Sequence, residues 1–296
     1  MGAADVIPGV SGGTMAFITG IYEEFVYSLN EIDAEALRLL VKFEFRSFWK
    51  KVNGNFLATV IAGIVSSLFL LSGIMFYFWK NYPVPTLSFF FGLILTAGPL
   101  ILRSIKKWRA NSILALLTGI GVAYVLTIFS PVQIPTNLFF IFLSGAIAIW
   151  AMVLPGVSGV YILLLLGTYQ IVVTSLHELN ALHIFVFIVG CILGLIGISR
   201  LLTRALHVYH HSATALLAGF MMGALNKVWP WRKVLEYATN SKGDQIAVFD
   251  KSILPWDFLS ETGKDPQLFQ AILMMALGVL IVVVIEKIAV RLKTKH

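Results

Sequence analysis

The chain of 296 residues contains one cysteine, few charges and only one sizeable polar stretch between its apolar runs. Cys191 lies inside an apolar run, so no intramolecular disulfide can brace the fold; its expected role is packing. Charged residues make up 12% and hydrophobic residues 58%, against about 25% and about 45–50% in soluble domains. That shortage of charge excludes an ordinary soluble domain and makes lipid the expected solvent. His207, His210 and His211 come without a matching set of cysteines or carboxylates, so no metal site is expected. No cleavable leader is visible, since Met1 runs almost directly into the first motif described below. The equivalent later motif has a long apolar lead-in, so the expectation is that a segment ahead of residue 1 is missing.

What the chain does have is hydrophobic length. A span needs about 20 apolar residues, and residues 55–79, 86–102, 113–129, 184–206 and 271–285 qualify, with 214–225 as a shorter candidate. The formal charge of +7 does not point to nucleic acid, because the cations sort by side. With alternating crossings, one face receives the Lys and Arg of 38–51, 103–109, 200–204 and 287–295. The other receives Lys80 and the cations of the loop 227–266. The richer face is expected to be cytoplasmic, with these side chains also anchoring lipid headgroups. Residues 33–51 place apolar side chains opposite Arg38, Lys42, Arg46 and Lys50, the pattern of an interfacial amphipathic helix. Trp229, Trp231, Trp256 and Tyr237 in the exterior loop fit an aromatic belt.

The pentapeptide Pro8-Gly9-Val10-Ser11-Gly12 recurs as Pro155-Gly156-Val157-Ser158-Gly159, and Gly20, Tyr22, Ser28, Leu29 and Glu31 find counterparts in Gly167, Tyr169, Ser175, Leu176 and Glu178. Further on, Gly63, Gly92 and Ala97 align more weakly with Gly190, Gly219 and Ala224. The pattern predicts an all-α polytopic membrane protein of two inverted repeats, residues 1–136 and 137–296. Each would begin with an interrupted, re-entrant helical hairpin (3–29 and 138–176) followed by transmembrane helices.

Pro and Gly inside an apolar run break the helix and free backbone N–H groups that lipid cannot satisfy. Inverted repeats with broken helices point to a carrier whose site lies between the copies. Ser11 reads as an N-cap, and Gly12 and Gly13 permit close backbone approach. The substrate-binding candidates are Gly9, Val10, Ser11, Gly12, Gly13 and Thr14 in the first copy, and Gly156, Val157, Ser158, Gly159 and Tyr161 in the second. Two helix starts facing each other would favour an anion and repel Na⁺ or K⁺. Asp5, an intramembrane carboxylate, and Glu23 are candidates for coupling to H⁺ or Na⁺; Arg200 and Arg204 are candidate counter-charges for a phosphate.

The run Ala4-Asp5-Val6-Ile7-Pro8-Gly9-Val10-Ser11-Gly12-Gly13-Thr14, followed by Gly20-Ile21-Tyr22-Glu23-Glu24, resembles the first signature of the polyprenyl-phosphate transporter family of the PopT type. Ala151-Met152-Val153-Leu154-Pro155-Gly156-Val157-Ser158-Gly159 with Gly167-Thr168-Tyr169 resembles its second. The resemblance implies a non-enzymatic flippase of the cell membrane that returns undecaprenyl phosphate, the lipid carrier of cell-wall precursors, from the outer to the inner leaflet. It implies no cofactor and no nucleic-acid partner. Self-association into a homo-oligomer stays open. Two other readings stay open from the residues themselves. One is a carrier or channel for a small inorganic anion. The other is an intramembrane serine protease, in which Gly9-Val10-Ser11-Gly12 would supply the nucleophile and His177 or His183 the base.

Overall fold

The structure is a computed structural model that describes residues 1–5, 10–129, 137–239 and 245–293. In chain order it contains α1 (Gly2–Asp5), α2 (Gly12–Ile18), α3 (Tyr22–Asn30), α4 (Ala34–Val41), α5 (Phe45–Lys51), α6 (Gly54–Asn81), α7 (Pro83–Leu102) and α8 (Ala110–Ile128). There follow α9 (Leu138–Val153), α10 (Gly159–Leu165), α11 (Tyr169–His177), α12 (Ala181–Val208) and α13 (His210–Gly223), the last continued by a 3₁₀ turn, Ala224–Asn226. The strands β1 (Arg232–Thr239) and β2 (Gln245–Ser252), then α14 (Pro255–Thr262) and α15 (Leu268–Lys293), complete it. The protein is an all-α, multi-pass membrane protein with one small antiparallel hairpin on a loop.

Among the described residues, α6, α7, α8, α12 and the Leu268–Ile288 part of α15 are long and apolar enough to cross a membrane. These cover all five of the longer runs expected. The sixth, 214–225, falls on α13, whose 14 residues reach about 21 Å at 1.5 Å per residue, short of a hydrocarbon core about 30 Å thick. In its most apolar stretch only 6% of α6 is buried inside the protein, against 61% of α7. Thus α6 meets lipid over most of its surface, and α7 is the central post.

Three helix pairs make the most extensive contacts: α7 with α15, α8 with α13, and α9 with α12. Lipid tails are as apolar as leucine, so helices in a membrane associate through close packing, which small residues allow. Each pair uses glycine on both sides. Gly92 lies against the backbone at Met275 and Gly278 against that at Phe89. Gly119 faces Leu216 and Phe220, while Gly219 and Gly223 face Leu116 and Ile120. Gly145 meets Phe187, and Gly190 and Gly194 meet Phe142 and Ala146.

The two interrupted regions share a local design. The N–H of Gly20 donates to Phe17 O and that of Ile21 to Ala16 O; Gly167 donates to Leu164 O and Thr168 to Leu163 O. These are matching Schellman closures. The left-handed residue is Gly20 (φ +74°) in one and Gly167 (φ +66°) in the other. α10 and α11 are bent by 110° across this break.

Two segments differ from the sequence expectation. Residues 33–51 form two helices, because the chain takes a left-handed turn at Phe43 (φ 58°) between α4 and α5. Lys51 ties the pair together through Asp33 (3.3 Å) and Glu35 (2.6 Å). The loop 227–266, for which no regular element is expected from the sequence, holds β1, β2 and α14.

The glycine pairs define a test. A Cβ at Gly219 would collide with the backbone at Leu116 and Gly119, whereas one at Gly63 meets open space. Gly219→Leu should lower stability by about 1–3 kcal/mol through overpacking, read as a fall in the thermal midpoint in detergent. Gly63→Ala should leave that midpoint in place.

Candidate functional site

The start of α2 meets the second motif turn. The buried hydroxyl of Thr14 accepts a hydrogen bond of 2.8 Å from the backbone N–H of Gly156. Gly156 has φ +91°, and a side chain there would strike the backbone at Phe220 and Met221 on α13. A Cβ at Gly13 would come within 2.9 Å of Val153 O and 3.2 Å of Met152 O. The first turn of α2 is therefore pressed against the end of α9, and glycine is required at both contacts.

In the first copy, Ser11 caps α2 with extended backbone (φ −119°, ψ 136°), its Oγ accepting from Gly13 N at 3.2 Å. Gly12 N donates to Asp5 Oδ1 at 2.6 Å. A carboxylate of the protein itself thus occupies the amide at the start of α2. Val10 is fully buried in a core formed with Ala4, with Phe90, Leu93, Ile94 and Ala97 of α7, and with Met221 and Val228. Gly9 lies outside the described residues.

The second copy is wired differently. Ser158 caps α10 by backbone conformation (φ −97°, ψ 128°) without a side-chain cap bond, and its hydroxyl has no partner among the described residues. Val157 is buried with Tyr161, Ile162 and Ala151, and Gly159 lies against Ala148 on α9. Tyr161 donates its hydroxyl to Leu126 O (3.1 Å), and its ring carries the Lys227 ammonium 4.2 Å from its centroid.

The remaining candidates sit apart from this junction. Glu23 is half exposed beside His210 (3.8 Å). Arg200 and Arg204 lie on an exposed face of α12, while Ile198, Leu202 and Leu206 of that helix pack against Tyr22 and Val26. His183 is hydrogen-bonded to Ser175 (3.0 Å), not to either motif serine, and the side chain of His177 lies outside the described residues.

Sequence reasoning did not single out the charged cluster above Tyr161. Arg232 clasps Asp250 through Nε to Oδ2 (2.7 Å) and Nη2 to Oδ1 (2.9 Å), and Lys227 Nζ reaches Asp250 Oδ1 at 2.7 Å. Burial pushes the Asp250 carboxyl up, but Arg232 and Lys227 outweigh it and hold the group below the usual carboxylate range. Burial pulls the Lys227 ammonium below the usual lysine range, against the pull of Asp250. Arg232 and Asp250 lie diagonally across the hairpin, two register positions apart, a placement that the strand pairing sets and residue spacing does not.

An apolar groove of about 520 Å³ opens between α6, α7 and α15, lined by Met75, Phe78, Tyr82, Phe89, Phe90, Leu273, Met274, Leu277 and Ile281. Phe90 also belongs to the core around Val10, so the groove and the first motif share a wall.

Fold and site together describe a multi-pass protein whose interior is organised by two broken helices in contact, an architecture of membrane transporters. The sequence comparisons carry this further. A family model described as undecaprenyl phosphate translocase-like (VCA0040-like) matches residues 1–246. The chain is 37% identical over 289 residues to a polyprenyl-phosphate transporter of Vibrio cholerae serotype O1, covering 98% of this chain and 94% of that one. It is 29% identical over 249 residues to a polyprenyl-phosphate transporter of Staphylococcus aureus, covering 78% and 83%. No solved structure matches it. The chain belongs to the undecaprenyl phosphate translocase-like family, a family of transporters and not of enzymes, which in bacteria places it in the cell membrane.

Thr14→Val removes the only acceptor described for the Gly156 amide and should cost about 1–3 kcal/mol, the penalty of an orphaned buried donor. Thr14→Ser keeps the oxygen and should recover most of it. Thermal unfolding of the two variants in the same detergent checks the contact.

Proposed function

We propose that the protein moves a polyprenyl phosphate of the undecaprenyl phosphate class from the outer to the inner leaflet by alternating access, with the phosphate held at the junction of the two motif turns. The observation that carries this reading is the Thr14–Gly156 hydrogen bond, which makes one junction of the two turns. The depth of the junction supports it. A side chain at Gly2 would collide with Ile64 and Ser67, close to the middle of α6, so Asp5 lies near the mid-plane of a 28-residue span. A bare phosphate at that depth is prohibitively costly. Hydroxyls and backbone N–H groups fixed in place compensate that cost without the competing charge that a cation site would need.

The isoprenoid tail asks only for apolar surface. The groove between α6, α7 and α15 offers it on the lipid-facing side of the same core that holds Val10. Rocking one repeat on the other would expose the junction to each leaflet in turn. Two of the large helix pairs, α7 with α15 and α8 with α13, join one repeat to the other, so they are the surfaces on which such a rocking would run. Among the first-repeat residues, Asp5 is the natural coupling group. Ionised, it holds the Gly12 amide; neutralised by a proton, it loses the charge that makes it the stronger competitor, and the amide passes to phosphate.

Ser11→Ala combined with Ser158→Ala should slow flipping of a fluorescent prenyl phosphate in proteoliposomes by about tenfold or more. Each lost bond to a charged group is worth about 1.5–3 kcal/mol. The amount of folded protein in the membrane should not change. Full activity in the double variant ends the reading. Wild-type flux of inorganic phosphate without lipid flipping replaces it with an inorganic-anion carrier. Asp5→Asn should make the flipping rate indifferent to an imposed pH difference across the vesicle, measured by quenching of the label on one face. A rate that still follows the gradient removes Asp5 from the coupling role.

A further inference from the structure

The cluster above Tyr161 holds more positive charge than it uses. Arg232 commits its guanidinium to fixed partners. Nε and Nη2 bind the Asp250 carboxylate, Nη2 also reaches Asp250 O (3.2 Å), and Nη1 binds Ser252 Oγ (2.9 Å) and Asn226 O. This fork is a closed, neutral pair, and Asn226 extends it to Thr127 of α8 (2.6 Å). Lys227 is then a third charge on a carboxylate already matched. Its side chain is 11% exposed, and those of Arg232 and Asp250 are 8% and 20% exposed.

An ammonium has three donors. Among the described residues, Lys227 gives one to Asp250 and lays its charge on the Tyr161 ring. Among the described residues the cluster thus sets two cations against one carboxylate, and a largely buried excess charge is costly because its solvation is lost without full compensation. The cluster is therefore built with room for one more negative charge. Tyr161 lies on α10 one turn beyond Ser158, whose hydroxyl is also without a partner among the described residues. Two unspent donor groups thus flank the same short helix.

We propose that Lys227 is a substrate-positioning residue that collects the phosphate monoester on the face opposite the cation-rich one and delivers it to the second motif, with Asp250 holding the ammonium in place when no phosphate is bound. The inference rests on the reading of the motif junction as the phosphate site. It adds that the two faces of the protein differ, since the first copy presents a carboxylate at its turn and the second a cation. The recognised chemistry, a phosphate with one ester bond or none, is shared by a prenyl phosphate headgroup and by inorganic phosphate.

The full chain reconstituted in phosphatidylethanolamine–phosphatidylglycerol vesicles provides the test, with a fluorescent short-chain prenyl phosphate as substrate. Lys227→Met should raise KM by about tenfold or more, the loss of a hydrogen bond to a charged group, with kcat changed far less. Lys227→Arg should restore KM to within about threefold, because it keeps the charge. Amine acetylation of the wild-type protein, read by mass spectrometry, supplies a measurement free of folding defects: prenyl phosphate should protect Lys227 from modification. Protection by inorganic phosphate at equal concentration would assign the site to the free ion as well as to the lipid. An unchanged KM in folded Lys227→Met, or no protection by either ligand, overturns the role of Lys227 while leaving wild-type flipping intact. Absence of flipping by the wild type overturns the underlying reading instead.

Discussion

A backbone amide surrounded by hydrocarbon must be hydrogen-bonded within the protein, because no water is there to take its place. A chain that breaks two helices in its apolar runs creates such amides deliberately, and the rest of this structure answers for them. The amide of Gly156 is met by the Thr14 hydroxyl, that of Gly13 by Ser11, and that of Gly12 by Asp5. Each break therefore depends on residues outside its own turn, and one depends on the other copy of the motif. The Thr14–Gly156 bond joins the two copies of the motif directly.

The surrounding bundle supplies the rigidity this link requires. Three pairs of helices approach through glycine on both partners, bringing backbones together where hydrophobic attraction between helices is absent. Gly92 and Gly219, which align between the repeats, play equivalent parts: the first lets α15 approach α7, the second lets α8 approach α13. Gly190 also serves as a contact, against α9, but its counterpart Gly63 faces open space on the lipid side of α6. The correspondence between the aligned positions is therefore partial. It is closest at the Schellman turns of Gly20 and Gly167, where the left-handed backbone leaves glycine little competition.

Much of this was legible in the residues. Hydropathy located the five long spans, since a 20-residue apolar run has few other uses, and the duplicated pentapeptide pointed to the contact between α2 and the second motif turn. What periodicity could not convey was pairing. The break at Phe43 splits a stretch whose apolar pattern reads as continuous, because a single left-handed residue leaves no trace in hydropathy. Cations in a loop read as topology signals. Only the register of β1 on β2, with Arg232 opposite Ser252 and Val234 opposite Asp250, brings Arg232 onto the Asp250 carboxylate. Asp5 stood out as an intramembrane acid, but its bond to the Gly12 amide depends on a fold-back between α1 and α2 that spacing alone does not specify.

The two motifs share a sequence and differ in electrostatics. In the first, the helix start is already matched by a carboxylate and a capping serine. In the second, the capping serine is unspent and a buried ammonium lies one turn along. On the proposed reading, an anion at the junction meets attraction from one side and competition from the other. In that reading, competition from Asp5 falls when the group is protonated, whereas attraction by Lys227 persists while Arg232 holds Asp250. A symmetric pair of helix ends would bind an anion without preferring a direction. The unequal residues around equal motifs are what the proposed coupling needs, because an external proton gradient can act only on a site whose two sides differ.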